Sequence, residues 1–368
     1  MELAAKPDYE ECMDRVEAWW DCGIIDRPPV TIHVRPERPA RQIPAAHESL
    51  RDRWLDAERA VARAEADAEA GVFLAETFPR YMPNLGPEIC ATCYGAELEF
   101  SENTSWSVPC AGRIRDVLDM HPDLDTPYWN VIRRMTELSA QRGAGRWITG
   151  VTDLHTNGDL LAALRDPQAL ALDYADDFAG VQAACRHVTP HAKLFFDDLY
   201  GRIAAARPGE SPAATGRPCC TWGLAVSRKT MYYVSCDFIC MISPAMFADT
   251  ILPAIEWEIA QLDRSIFHLD GPGTLQHLDA LLAIPRLNAV QWVYGAGAGR
   301  AADWINVYRR VQAAGKGIEV IAADMDDARA VMENVRPEGA WLSVGGSYSR
   351  DQAAAVLHEV RRWAEGKR

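Results

Sequence analysis

The sequence predicts an α/β protein built on a distorted (β/α)8 barrel of the TIM type, with helical additions at the N-terminus. Strand-like and helix-like segments alternate from about residue 146 onward, which is the pattern of a parallel sheet with right-handed crossovers. The strands are nearly continuous apolar runs, as burial on both faces requires. Eight or nine strands are counted, and no G-x-G-x-x-G follows the first one, which favours a closed barrel over an open dinucleotide-binding sheet.

The chain is predicted to form a single domain over 1–368, in which residues 1–28 are a helical extension. The serine cap and proline at 243–244 mark one helix start, and Gly315 marks one helix end. The predicted strands lie at 29–34, 72–76, 146–151, 219–226, 231–238, 264–269, 289–295, 317–323 and 340–346. The predicted helices lie at about 47–70, 153–164, 166–206, 243–262, 273–283, 302–314, 325–334 and 349–366.

Composition narrows the class of function. Hydrophobic residues make up 48% of the chain and charged residues 24%, which is typical of a globular protein with a large core. The net charge of −14 argues against nucleic acid as a partner. Because charge or proline interrupts every apolar stretch before about 18 residues, no membrane span is expected. Ten scattered cysteines without a signal-peptide pattern predict reduced thiols and a cytoplasmic location.

The segment from Ser265 to Gly273 carries the clearest sign of a site. An apolar run ends with His268 and Asp270 two residues apart, and a glycine-proline turn follows them. Because side chains alternate along a strand, these two groups face the same way. In a barrel of parallel strands they would lie at the carboxyl end, where such barrels carry their chemistry. We therefore expect a catalytic site around this pair.

Other predicted strand ends add to this site. The catalytic candidates besides His268 and Asp270 are Asp237, His155 and Glu76, and the substrate-binding candidates are Arg35, Asp153, Trp222, Tyr233, Trp292 and Tyr348. Histidines and carboxylates at one mouth suit either general acid-base catalysis or a divalent metal such as zinc. In the second case His268, Asp270 and Asp237 would be the metal ligands.

A family resemblance supports the barrel. The run Met241–Pro253 followed by Phe267–Gly271 resembles the second half of the uroporphyrinogen decarboxylase superfamily, which includes corrinoid-thiol methyltransferases. The stretch Gly71–Glu76 through Gly95–Phe100 resembles the superfamily's second strand and the loop after it. This resemblance implies a distorted (β/α)8 barrel with N-terminal helices, and either decarboxylation or methyl transfer.

The chain departs from both chemistries of that superfamily. The decarboxylases carry an Arg-Gln-Ala-Gly-Arg segment that holds substrate carboxylates, whereas residues 34–39 here read VRPERP. The methyltransferases bind zinc through a His-x-Cys pair and a later cysteine, whereas this chain has His268-x-Asp270 and no cysteine after Cys240. A carboxylate in place of a thiolate gives a harder site that still accepts zinc or iron.

Three functional hypotheses follow. The first is metal-assisted methyl (one-carbon) transfer on a small polar molecule, for which the resemblance implies a corrinoid protein as a partner. The second is a metal-free decarboxylase or other lyase, in which His155 or His268 protonates a carbanion and Arg35 holds a carboxylate. The third is a non-catalytic barrel that binds a small molecule. The apolar pair Trp19-Trp20 suggests a face for a homodimer.

Overall fold

The computed structural model describes residues 3–44, 47–206 and 218–366. Within these residues the strands are β1 Val30–Val34, β2 Arg80–Tyr81, β3 Glu97–Phe100, β4 Ser105–Val108, β5 Ile148–Thr149, β6 Cys219–Cys220, β7 Val226–Ser227, β8 Met231–Ser235, β9 Arg264–Asp270, β10 Ala289–Val293, β11 Gly317–Ala322 and β12 Ala340–Tyr348.

Helices surround these strands. The α-helices are α1 Tyr9–Trp20, α2 Leu50–Leu55, α3 Ala57–Ala70, α4 Pro127–Arg142, α5 Asn157–Arg165, α6 Pro167–Asp176, α7 Phe178–Val188, α8 His191–Ala205, α9 Pro244–Asp249, α10 Ile251–Ala260, α11 Leu278–Leu282, α12 Ile305–Ala313, α13 Met325–Met332 and α14 Arg350–Gly366. Short 3-10 helices lie at Pro87–Tyr94, Ile114–Asp119, Asp237–Met241, Pro272–His277 and Ala301–Trp304.

The central sheet is parallel and has six strands in the order β1-β12-β11-β10-β9-β8. A second parallel pair joins β2 to β5, and two antiparallel hairpins join β3 to β4 and β6 to β7. The fold is therefore mixed α/β with a mostly parallel sheet, as the alternation of segments predicts. The helix-facing sides of the strands are apolar and buried, as in Ile32, Phe267, Val320 and Leu342.

Two hydroxyl groups join the β2–β5 pair to the edges of the six-stranded sheet. Thr77, which lies before β2, accepts a hydrogen bond from the backbone N–H of Ile32 and donates one to the Ile32 carbonyl, both at 3.0 Å. Tyr232 in β8 donates to the carbonyl of Thr152 at 2.7 Å and accepts from the N–H of Leu154 at 2.6 Å. Side chains thus satisfy backbone groups where the ladders of the described strands are interrupted.

Helix α1 covers the amino ends of the strands. The indole N–H of Trp19 donates to Gly339 O at 3.0 Å, and that of Trp20 donates to Val226 O at 2.9 Å. The ring of Trp19 also packs edge-on against Trp341, with centroids 5.1 Å apart. Because both tryptophans are buried, the prediction that they form a dimer face is wrong.

Several predicted boundaries are also wrong, for physical reasons. Residues 72–76 form no strand, and the chain enters β2 only at Arg80. The predicted strand at 219–226 is a hairpin of two short strands, in which a side chain at Gly223 would collide with the ring of Tyr233. Two long predicted helices are divided because an aspartate inside the run starts a new helix by accepting a backbone N–H. Asp56 divides the helix predicted at 47–70, and Asp177 divides the helix predicted at 166–206.

None of the helices in the described residues combines the length and the apolar character needed to cross a bilayer.

The hydroxyl of Tyr232 should contribute measurably to stability. Replacing Tyr232 by Phe leaves the N–H of Leu154 and the carbonyl of Thr152 without this partner in a buried position, which should lower the free energy of unfolding by about 2 kcal/mol. Urea denaturation would measure the change. Tyr308→Phe is the matched control, because the hydroxyl of Tyr308 is buried and has no hydrogen-bond partner among the described residues. Equal stability of the two variants would contradict the assigned role.

Candidate functional site

A row of polar side chains faces the concave side of the sheet at one level. The strand register places Ser235 opposite His268, His268 opposite Gln291, and Gln291 opposite Glu319. Partners in a parallel ladder point to the same face, and neighbouring strands are only about 4.8 Å apart. Side chains of adjacent strands can therefore bond to one another across the sheet.

These side chains form a hydrogen-bonded chain. Tyr233 accepts the N–H of Ala225 at 2.9 Å and donates its hydroxyl proton to Glu319. Gln291 donates its Nε2 to Glu319 Oε1 at 2.6 Å, and its Oε1 lies 2.5 Å from Nδ1 of His268. Because Oε1 of Gln291 can only accept, Nδ1 of His268 carries the proton in this arrangement. The lone pair of His268 is then on Nε2.

The carboxyl group of Glu319 anchors this chain. Burial raises its pKa above the ordinary value, while the hydrogen bonds from Tyr233 and Gln291 and the positive charge of Arg80 lower it. Since an unpaired carboxylate in the interior would be costly, its two donors are fixed in place. This explains why Gln291 has one orientation, and through it why His268 does.

Asp237 and Asp270 lie beyond this row, at the carboxyl ends of β8 and β9. The region around these two carboxylates is the mouth of the candidate site. Asp270 ends β9 two residues beyond His268, so the alternation of the strand turns both side chains to one face. Asp237 is the first residue of the 3-10 helix that follows β8, two residues beyond Ser235. One donor atom each from Asp237, His268 and Asp270 lies within 4.8 Å of the others. Burial raises the pKa of both carboxyl groups. The charge of Asp159 raises the pKa of Asp237 further and the charge of Asp237 raises that of Asp270, while His268 opposes both effects.

A second histidine reaches Asp237 from the segment between β5 and α5. His155 lies with Nε2 3.6 Å from Asp153 and Nδ1 3.7 Å from Asp159. Donor atoms of His155, Asp159 and Asp237 also lie within 4.8 Å of one another. Burial lowers the pKa of His155, but four carboxylates, those of Asp153, Asp159, Asp237 and Glu88, prevail and raise it. Burial is the main cause of the raised pKa of Asp153.

Sequence reasoning missed Asp159. Its carboxylate accepts the backbone N–H groups of Asp237 and Phe238, both at 3.0 Å, and so fixes the turn that carries Asp237. The available signal was its position four residues after His155 at the start of a helix.

Buried polar contacts hold the segment between β5 and α5 in place. Asn157, which has a positive φ of 50°, donates Nδ2 to the carbonyl of Ser235 at 3.1 Å and to both oxygens of Glu258 at 3.3 and 3.2 Å. Glu258 is buried on α10. The loop that bears Asp153 and His155 is thereby tied to the end of β8.

Aromatic and basic groups border the mouth. The ring of Trp222 meets the imidazole of His268 edge-on, with centroids 4.8 Å apart. Strands β2 and β5 pair Arg80 with Ile148 and Tyr81 with Thr149. Thr149 bonds to Ser139 on α4, so the second of these pairs faces the helices. Because side chains alternate along a strand, Arg80 faces the opposite way. Its Nη1 donates to the Thr221 carbonyl at 3.2 Å, and it forms no ion pair within the described residues. A cavity of about 420 Å³ lies beside Arg80, Phe78 and His33.

Arg80 was missed because the second strand was predicted too early. The same error misplaced Glu76, which lies before β2 and is buried against Arg27 at 2.6 Å and the N–H of Val30 at 2.8 Å. Glu76 stabilises the entry to β1 and takes no part in the mouth.

Four other predicted residues lie apart from the cluster. Trp292 occupies the helix-facing side of β10 and packs against Trp304 at 5.2 Å, so its predicted role as a wall of the mouth is wrong. Tyr233 is buried beneath the mouth and engaged by Glu319. Arg35 is exposed beside Gln352, and Tyr348 donates to Gly345 O at 2.8 Å.

A methyltransferase from Methanosarcina mazei has a similar structure. The TM-score is 0.59, and 95% of this chain and 98% of that chain are covered at 9% sequence identity. No protein family model and no curated protein sequence matches the chain. The likeness concerns the fold alone, a mixed α/β fold that is consistent with a TIM-like architecture, and the function must be argued from the site.

The buried carboxyl of Glu258 should make stability depend on pH. Burial raises its pKa from 4.5 to about 8, so the folded protein keeps this proton where the unfolded chain loses it. The stabilising contribution is complete below pH 4.5 and is lost as the pH rises through 8. Replacing Glu258 by Gln should remove this loss, as measured by urea denaturation below and above that range.

Glu256→Gln, an exposed change on the same helix, is the control and should keep the decline of the wild-type protein. An identical decline in Glu258→Gln would show that this carboxyl group does not cause it.

Proposed function

We propose that this protein is an enzyme that acts on a small polar molecule and catalyses the transfer of a methyl or other one-carbon group with the help of a divalent metal ion. We further propose that its strands close into a distorted (β/α)8 barrel through the contacts of Thr77 and Tyr232. The observation that carries the functional proposal is the convergence of donor atoms of His268, Asp237 and Asp270 within 4.8 Å of one another, in which Gln291 occupies Nδ1 of His268 and leaves Nε2 to bind an ion. The similarity in fold to a methyltransferase supports the reaction class.

The donor set fits a first-row divalent cation. An imidazole nitrogen and two carboxylate oxygens are ligands that zinc and iron accept, and a site with three protein ligands leaves room for substrate. His268, Asp237 and Asp270 would hold the ion. When bound, such an ion would supply Lewis acidity that lowers the pKa of a nucleophile in the methyl-transfer step.

The remaining residues have roles that follow from their contacts. Gln291 keeps the proton of His268 on Nδ1, which is how outer hydrogen bonds orient metal-binding histidines. Trp222 covers one edge of His268 and limits access of water from that side. Arg80, whose Nη1 donates to the carbonyl of Thr221 next to Trp222, would bind an anionic or polar group of the substrate.

The second candidate is a metal-free lyase, and one observation favours it. His155 lies between Asp153 and Asp159, and the neighbouring carboxylates raise its pKa. A raised pKa favours the protonated imidazole, which is a competent general acid for a carbanion. Activity of this kind would be indifferent to chelators, whereas inhibition that added metal reverses would exclude it.

The proposal predicts that metal binding depends on His268. Replacing His268 by Gln removes one ligand, so purified protein should bind less metal and hold the remaining ion at Asp237 and Asp270 at least about tenfold more weakly. Elemental analysis and competition titration would measure this. His358→Gln, at an exposed histidine on α14, should match the wild-type protein.

A wild-type protein that takes up no divalent metal would contradict the proposal. So would equal metal content and affinity in the wild-type protein and in His268→Gln.

A further inference from the structure

We propose that the mouth binds two divalent cations, which share Asp237 as a bridging ligand. This inference rests on the proposed function, because it takes His268, Asp237 and Asp270 as one of the two cation sites. The other site consists of His155, Asp159 and the same Asp237. Each set has donor atoms within 4.8 Å of one another, and Asp237 belongs to both sets.

The two sets are built alike. Each contains one imidazole and one carboxylate of its own, and the two are completed by the common carboxylate of Asp237. A carboxylate has two oxygens and can serve two ions, and proteins that use two metals hold them about 3.5–4 Å apart. The arrangement therefore matches the ligand pattern of a two-metal centre.

The distances around His155 suit ligands of an ion better than hydrogen bonds. Its two nitrogens lie 3.6 Å and 3.7 Å from carboxylate oxygens, which is too long for a hydrogen bond. Two donors that each lie about 2.1 Å from a common ion are roughly 3 to 4 Å apart. The separation of 3.7 Å between Nδ1 of His155 and Asp159 falls in that range.

A polar group also lies near the second ring nitrogen of each imidazole. Gln291 occupies Nδ1 of His268 at 2.5 Å, which is the kind of partner that metal-binding histidines almost always have on the other ring nitrogen. The carboxylate of Asp153 lies 3.6 Å from Nε2 of His155, beyond hydrogen-bond distance but next to the corresponding nitrogen. The backbone donors that Asp159 receives from Asp237 and Phe238 orient a ligating carboxylate in the same manner.

The charges around the mouth favour cations. Four carboxylates converge there, those of Asp153, Asp159, Asp237 and Asp270, and no Lys or Arg of the described residues pairs with any of them. Two divalent ions would supply four positive charges against these four carboxylates, whereas one ion would supply two.

A separate observation points to a missing ligand. Ser235 is 4% exposed, and its Oγ has no hydrogen-bond partner among the described residues. Its side chain faces the interior beside His268 in the strand register. The Oδ1 atom of Asp153 is likewise buried and unpartnered. Buried polar atoms are almost always satisfied, so the mouth is shaped for an occupant that these two groups contact.

The test is metal stoichiometry and metal–metal coupling in the full chain. Protein stripped with a chelator is loaded with Mn²⁺ or Zn²⁺, freed of excess metal and analysed for ions per chain. Two ions are expected in the wild-type protein and in the control His358→Gln. One ion should remain in His155→Gln and one in His268→Gln, while Asp237→Asn should weaken both. The Mn²⁺ form should show an exchange-coupled EPR spectrum that His155→Gln abolishes.

The EPR arm uses the wild-type protein alone, so the proposal stays testable if a variant fails to fold. One ion per chain that His155→Gln retains and His268→Gln loses would overturn the second site and leave the proposed function standing. One ion with an uncoupled Mn²⁺ spectrum in the wild-type protein would also overturn it. No bound metal in any form would end both proposals.

Discussion

The buried carboxyl group of Glu319 is the constraint on which the site depends. A fully enclosed carboxyl group must be hydrogen-bonded, and here its donors come from Tyr233 on β8 and Gln291 on β10. Gln291 then has only its oxygen left to offer, which accepts the proton of His268. A structural requirement in the interior thus sets which nitrogen of the histidine reaches the mouth. The parallel register makes this possible, because it places the three bonded side chains of β9, β10 and β11 at one level.

Hydrogen bonds also fix the positions of the groups at the mouth. Asp159 fixes the turn that carries Asp237, and Asn157 ties the loop of His155 to both the end of β8 and the buried Glu258. Each reactive side chain therefore rests on a hydrogen bond or a strand end, which is the support that a preorganised site requires. This arrangement encloses several carboxyl groups close together. Burial is the main cause of the raised pKa values of Asp153, Asp237 and Asp270, and neighbouring carboxylates add to it.

The sequence predicted the parts of this arrangement that follow from alternation and strand ends. His268, Asp270 and Asp237 could be found because two-residue spacing at the end of an apolar run places side chains on one face. The roles of Gln291 and Glu319 in orienting His268 were not predicted. A polar residue in the middle of each of these buried, apolar strands was nevertheless a signal that it has a hydrogen-bonding partner. Trp292 was misjudged because it is adjacent to Gln291 and so faces the helices. Glu76 and Arg80 were misjudged because β2 is only two residues long and has no apolar run of its own.

The most direct test of this account is the tautomer of His268 in the metal-free protein, observed by ¹⁵N NMR of the imidazole and assigned with His268→Gln. At a pH where the ring is neutral, the account predicts that the proton resides on Nδ1 and that Gln291→Leu releases this preference. A proton on Nε2 in the wild-type protein, or a tautomer unchanged by Gln291→Leu, would contradict the claim that the interior chain orients the histidine.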